Sequence, residues 1–121
     1  MTTLTKLNEG KTKIIWQDPE SPNHVLIESK DDITAGDGAK HDIMDSKAVI
    51  ATETTCNVFA FLRKCGVITA FVKRMNDTTF YALKCDMIKI ECIARRRATG
   101  SFLLNHPHIE EGHRFDPLHI E

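Results

Sequence analysis

Short stretches of alternating apolar and polar residues dominate this chain, interrupted by one long segment with helical spacing. Lys11–Trp16 carries β-branched and aromatic residues and predicts a strand, with a weaker strand at Lys6–Asn8 just before it. Pro19 and Pro22 break regular structure, and Val25–Glu28 resumes a strand pattern after them. A polar, glycine-containing loop is expected over Ser29–His41, with Asp42 or Asp45 as the cap of a helix. The run from there to Lys64 has neither Gly nor Pro. Met44, Ala48, Ala51, Val58, Phe59 and Leu62 recur at near-helical spacing and predict one buried face, with Gly66 as the stop. Three further strands are expected at Phe71–Arg74, Thr79–Leu83 and Met87–Arg95, the first two joined by a turn at Asn76-Asp77.

Strands outnumber helices and the connections between them are short. Antiparallel pairing follows more readily than βαβ winding, so the fold class expected is α+β. From Asn105 onward the chain is rich in Pro, His, Glu and Asp, and apolar periodicity is lost. The packed region expected is 1–104, with 105–121 a trailing segment that has no closing element. Ending on such an unpacked segment is what a shortened chain looks like.

Composition narrows the classes. A chain of 121 residues can bury a single core. The net charge of −1 gives no electrostatic footprint for nucleic acid or an anionic membrane. No apolar run reaches membrane-spanning length, and Met1–Lys6 lacks the apolar core of a signal peptide. Cys56, Cys65, Cys85 and Cys92 form no C-x-x-C pair and no zinc spacing, which points to a reducing compartment and hence the cytoplasm.

Candidate chemistry lies in three places. The most informative is Glu91-Cys-Ile-Ala-Arg-Arg-Arg-Ala-Thr-Gly-Ser101, where three guanidinium groups precede a Thr-Gly-Ser turn. Guanidinium forks followed by free backbone N–H groups and a hydroxyl suit an anion. If Met87–Arg95 is a strand, Glu91 and Arg95 share a face about 13 Å apart, at roughly 3.3 Å per residue. They would meet a cation and an anion at two ends of a ligand, or simply form a solvated charged face. In Glu9-Gly10-Lys11-Thr12-Lys13, two co-facial lysines suit a polyphosphate and Gly10 permits close backbone approach. The same lysines would also discourage edge pairing. This is not a Walker A loop, because position 5 is Thr5. In Thr34-Ala-Gly-Asp-Gly38, Thr34 and Asp37 offer a hydroxyl and a carboxylate, but an ordinary Asp/Gly turn fits as well. The absence of a third glycine at His41 excludes a dinucleotide fingerprint. His106, His108, His113 and His119 lack zinc spacing.

In this order, these segments resemble the SAICAR synthetase family, the phosphoribosylaminoimidazole-succinocarboxamide synthases. Glu9–Lys13, Thr34–Gly38, Cys65-Gly-Val-Ile-Thr69, Glu111-Gly112 and above all Met87–Ser101 carry the likeness, which is nearest the animal form joined to an AIR carboxylase domain. Two departures stand out. Lys89 replaces the family's proline, and the family's second signature, Asp-x-Lys-x-Glu-x-Gly, is absent from these residues. The resemblance implies a small kinase-like ATP-binding lobe, an antiparallel sheet of five or six strands with one long packed helix. It implies ATP and Mg2+ as cofactors, and carboxyaminoimidazole ribotide (CAIR) and L-aspartate as substrates. It makes 1–104 an N-terminal ATP-binding lobe and 105–121 the start of a connection to a missing C-terminal lobe, and a homo-oligomer is expected at full length.

It implies residue roles as well. Lys11 and Lys13 would contact ATP phosphates, flanked by Gly10 and Thr12. Lys84–Ile88 would read adenine through its backbone, with Met87 packed on the base. Glu91 would approach Mg2+ or the substrate carboxylate, and Glu91 and Arg95 would serve the chemistry. Arg95 and Ser101 would grip the ribotide phosphate, with Asp37 facing the same substrate. The competing reading is a non-catalytic nucleotide or sugar-phosphate binding module.

Overall fold

A computed structural model describes residues 3–35 and 39–121. Two compact units divide the chain, Met1–Asp86 and Met87–Glu121.

The first unit is built on a five-stranded antiparallel sheet of order β1-β2-β3-β7-β6. The strands are β1 (Thr5–Glu9), β2 (Lys13–Gln17), β3 (His24–Ser29), β6 (Phe71–Arg74) and β7 (Thr79–Leu83). A separate ribbon pairs β4 (Asp32–Ala35) with β5 (Lys40–Ile43). Helix α1 (Lys47–Lys64) packs on β3, β6 and β7. Strand parity explains the core. Val25 lies opposite Ala82, and Ile27 opposite both Ile15 and Phe80. These side chains therefore share one face of the sheet. Val25, Cys56, Phe71, Phe80 and Ala82 are buried together, with Ile15, Ile27 and Phe59 packed against them. The Phe59, Phe71 and Phe80 rings meet at centroid distances of 5.7 to 6.4 Å. On the other face, Trp16 Nε1 donates to Glu28 Oε2 at 2.7 Å.

Several expectations are corrected. The buried row of α1 is Ala48, Thr52 and Cys56, spaced by four. Val58, expected on that face, is exposed, and Met44 precedes the helix and is also exposed. Neither Asp42 nor Asp45 caps α1. Asp31 does so from the link between β3 and β4, its Oδ1 accepting the Ala48 N–H at 2.8 Å. An N-terminal helix amide needs an acceptor, and a carboxylate from another element serves as well as a local cap. The expected loop Ser29–His41 contains β4 and the first residues of β5. Gly66 does end the helix: at φ +80° it donates to Arg63 O while Val67 donates to Leu62 O, both at 3.0 Å.

The second unit contains β8 (Ala94–Arg97), the short α2 (Phe102–Asn105) and β9 (Arg114–Ile120). Here the expected strand Met87–Arg95 fails. Residues 84–93 have no regular structure, and only Ala94 and Arg95 of that span lie in a strand. The apolar residues that suggested a strand, Met87, Ile88 and Ile90, are 78%, 78% and 73% exposed. The segment after Asn105 is not an unpacked tail either, since β9 pairs antiparallel with β8. Among the described residues no helix is long and apolar enough to cross a membrane, and all four cysteines are free thiols.

Candidate functional site

The lysine-bearing turn joins β1 to β2. Gly10 N–H donates to Lys13 O at 2.8 Å, closing a tight turn that leaves Gly10 and Lys11 exposed and Thr12 and Lys13 half-buried. Neither Lys11 nor Lys13 joins an ion pair among the described residues. The fold does not demand glycine at position 10: a Cβ there would meet only Lys13 O, at an ordinary 3.9 Å.

Behind the turn lies a network that the sequence did not suggest. Lys30 Nζ donates to Glu9 Oε1 at 3.0 Å and to Gly10 O at 3.4 Å. Its backbone N–H donates to Thr12 O at 2.8 Å. Glu9 Oε2 accepts from Lys6 at 2.7 Å. Lys6, with Lys30 on the other oxygen, holds the Glu9 carboxyl below its usual range, and Glu9 raises Lys30 in turn. Lys30 also pairs with Asp32 at 3.7 Å, and Asp32 with His41 Nε2 at 2.8 Å. The His41 contact is the main cause of the lowered Asp32 carboxyl. The same stretch grips α1 through Asp31 and through Thr52 Oγ1, which donates to Ser29 Oγ at 2.9 Å. Ser29–Asp32 therefore ties the lysine turn, α1 and the β4–β5 ribbon together. A charge run after a strand reads as solvated, and nothing local encodes partners about 20 residues away.

Lys84 closes the first unit. Its N–H donates to Asn23 O at 2.8 Å and its Nζ to Gln17 Oε1 at 2.9 Å. The backbone amide at this position is thus already satisfied. The backbone amides of Cys85–Cys92 make no backbone hydrogen bonds among the described residues, and Met87 projects into solvent. Asp37 lies outside the described residues.

In the second unit, Glu91 is exposed in an irregular stretch, so the shared strand face expected for Glu91 and Arg95 does not exist. Each arginine is tethered to β9 or its approach. Arg95 Nε donates to Glu121 Oε1 at 2.6 Å and its Nη1 to Thr99 O at 3.3 Å, while its guanidinium lies 4.8 Å above the Phe102 ring. Arg96 Nη1 donates to Phe115 O and Arg97 Nη1 to Gly112 O, both at 3.0 Å. Phe102 is 2% exposed and stacks on His106 with centroids 4.1 Å apart. A lone phenylalanine after a glycine turn gave no sign of this anchoring role. Ser101, at the start of α2, is exposed and makes no side-chain capping bond. The family model of SAICAR synthetase matches residues 6–121, from within β1 to the last residue.

This chain belongs to the SAICAR synthetase family.

It is 50% identical over 116 residues to the multifunctional protein ADE2 of Gallus gallus, covering 96% of this chain and 27% of that one. A bifunctional phosphoribosylaminoimidazole carboxylase/phosphoribosylaminoimidazole succinocarboxamide synthetase of Rattus norvegicus is 46% identical, with the same coverage. The crystal structure of phosphoribosylaminoimidazole-succinocarboxamide synthase from Ehrlichia chaffeensis superposes with TM-score 0.89 at 30% identity, over 97% of this chain and 48% of that one. A SAICAR synthetase in complex with ADP superposes with TM-score 0.85 at 27% identity, over 94% of this chain and 48% of that one. The α+β fold expected from the sequence, an antiparallel sheet with one long helix, is the one found. The chain spans about half the length of the solved synthetases and about a quarter of the animal relatives.

Proposed function

We propose that this chain forms the nucleotide-binding half of an ATP-dependent ligase in de novo purine biosynthesis, with part of the ribotide site. The ligase joins L-aspartate to the carboxylate of CAIR and gives SAICAR. The family match over residues 6–121 carries this reading. A carboxylate resists amine attack until it is activated. Transfer of the γ-phosphoryl group to a carboxylate oxygen yields ADP and an acyl phosphate. The aspartate amine then forms the C–N bond as phosphate leaves and the amine loses a proton. Holding three anionic reactants together is a task of positioning and charge neutralisation.

In this reading Lys11 and Lys13 meet the ATP phosphates, and their freedom from ion pairs supports it. Gly10 and Thr12 flank them, and Gly10 has room for a side chain but keeps none. Lys84–Ile88 borders adenine, through the unbonded amides that follow Lys84, with Met87 on the base. Arg95 and Ser101 take the ribotide phosphate, and Asp37 faces the ribotide. Glu91 approaches the substrate carboxylate or Mg2+. Among the described residues no group of three or more His, Cys, Asp or Glu side chains gathers to hold a metal ion. Mg2+ that arrives with ATP needs only one or two protein carboxylates beside phosphates and water, and Glu91 would supply one. The opposite wall of the site comes from a second lobe, so this chain alone does not turn over. The full-length enzyme would be a cytoplasmic homo-oligomer; a fused AIR carboxylase domain is supported by the rat relative, a bifunctional carboxylase/synthetase.

Titrating the chain with ATP and with CAIR tests the reading. Weak binding of both is expected, with CAIR binding alone lost in Arg95→Ala. A chain that binds neither at millimolar concentration would refute the site, and amide formation above background would refute the inactivity. Binding of ATP without CAIR would favour the non-catalytic module.

A further inference from the structure

We propose that Lys30 is a positioning residue for the Gly10–Lys13 turn, holding the lysines of that turn in place without itself touching nucleotide. The inference rests on the nucleotide reading above and adds a residue outside the segments that carry the family resemblance.

The turn needs external support. It joins β1, exposed along its whole length and at the sheet edge, to β2. One internal hydrogen bond, Gly10 N–H to Lys13 O, closes it. Edge hairpins with few buried contacts open easily. Lys30 supplies the missing constraint at three positions. Its Nζ reaches Glu9 Oε1 and Gly10 O, and its N–H reaches Thr12 O. The residue that does this is itself fixed. Ser29 before it is bonded to Thr52, and Asp31 after it caps α1 at Ala48. An unbroken path of short contacts thus runs from the buried row of α1 to the exposed turn.

The donor count separates support from direct binding. A lysine ammonium has three N–H donors. Glu9 Oε1, Gly10 O and Asp32 Oδ1 surround this one at 3.0, 3.4 and 3.7 Å. Two donors are thus hydrogen-bonded and the third faces the Asp32 carboxylate, so this ammonium is already charge-paired, whereas Lys11 and Lys13 carry no ion pair among the described residues. A turn fixed before the ligand arrives loses less freedom on binding, so the clamp acts on affinity through preorganisation.

The test compares the parent chain with Lys30→Met, Lys30→Arg and Glu9→Gln. Amide hydrogen exchange is read by NMR without nucleotide, alongside an ATP titration. Lys30→Met keeps the apolar stem and removes the donors. It should speed exchange at Gly10 severalfold and weaken ATP binding severalfold, while the amide of Cys56 in α1 keeps its protection. Glu9→Gln should do the same to a smaller degree. Lys30→Arg, which keeps charge and donors, should restore most of both. Unchanged Gly10 exchange in Lys30→Met and Glu9→Gln overturns the clamp. Unchanged exchange with weakened ATP binding would make Lys30 a direct ligand and also overturns it. A parent chain that binds no ATP, with Gly10 still responding to Lys30→Met, defeats the nucleotide reading and leaves the clamp standing.

Discussion

Thr52→Val is the sharpest probe of how α1 is held on the sheet. Thr52 is 0% exposed and Ser29 6%, and their hydroxyl oxygens lie 2.9 Å apart across the helix–sheet contact. Valine keeps nearly the same shape but removes the donor, leaving Ser29 Oγ buried without it. A buried hydroxyl left unsatisfied costs about 1–3 kcal/mol, and burying an extra methyl offsets part of that, so a net loss of about 1–2 kcal/mol is expected. Ser29→Ala should cost less, about 1 kcal/mol, because a helical threonine can turn its hydroxyl to the carbonyl four residues earlier, here Ala48. With both hydroxyls removed no orphan remains. The double variant should then resemble one single variant, with a coupling energy of about 1 kcal/mol. Urea unfolding followed through Trp16, the only tryptophan and part of β2, reports on this sheet. Strictly additive single effects, with coupling below about 0.3 kcal/mol, would refute the argument. So would a Thr52→Val chain as stable as the parent.

Three further outcomes follow from the same structure. Phe80→Ala empties a site 4% exposed between Phe59 and Phe71 and should cost about 3–5 kcal/mol in urea unfolding; a loss under about 1 kcal/mol would contradict the core described. Gly10→Ala should change stability by no more than about 1 kcal/mol, since its Cβ meets only Lys13 O, yet weaken ATP binding if the turn approaches phosphate closely. Equal ATP affinity in parent and variant would count against close approach. Tyr81 donates to Asp18 and is the main cause of that carboxyl lying below its ordinary 3.8. A lowered folded value contributes stability above the unfolded value and loses it as pH falls through the folded one. Tyr81→Phe should move the Asp18 midpoint upward in an NMR titration and shrink the acid-dependent loss of stability. An unmoved midpoint would assign the shift to other groups, such as the Glu20 N–H that also bonds it.

What could be read from the sequence follows from where burial is one-sided. Phe71–Arg74 and Thr79–Leu83 are strands as their patterns predict, because Phe80 and Ala82 alternate into the core and Phe71 joins them from the start of β6. The ribbon of β4 and β5 gave no such signal. Ile33, His41, Asp42 and Ile43 are all exposed there, so there is no apolar face to create a period. Met87–Ile90 failed in the opposite sense. Its alternation of apolar residues and a lysine looks like a strand, but a strand also needs a neighbour to take its N–H and C=O groups. Among the described residues, within 87–93 only Ile93 finds a backbone partner, exchanging both hydrogen bonds with Glu121 at 3.0 Å. Pairing partners lie far away in sequence, and periodicity within one segment carries no information about them.

The arginine cluster shows why a chemical pattern and a structural duty need not compete. Read along the chain, Arg95-Arg96-Arg97 is an anion site awaiting a ligand. In the fold each side chain already holds a carbonyl or carboxylate of its own unit. A guanidinium has five N–H donors, and Arg95 uses two of its nitrogens, Nε and Nη1, on Glu121 and Thr99. Its Nη2 makes no hydrogen bond to protein among the described residues. The Phe102 ring beneath restricts the plane in which that nitrogen can lie. Phe102 in turn is pinned by His106, Phe115 and His119. The donors that build the fold thus also orient the one they leave unused. Glu121 sets the cost, because its carboxylate offsets part of the charge an incoming phosphate would meet. Among the described residues no ring lies beneath Arg96, and its side chain is 47% exposed against 16% for Arg95. Of those two, Arg95 is the better prepared to select an anion by geometry rather than by charge alone.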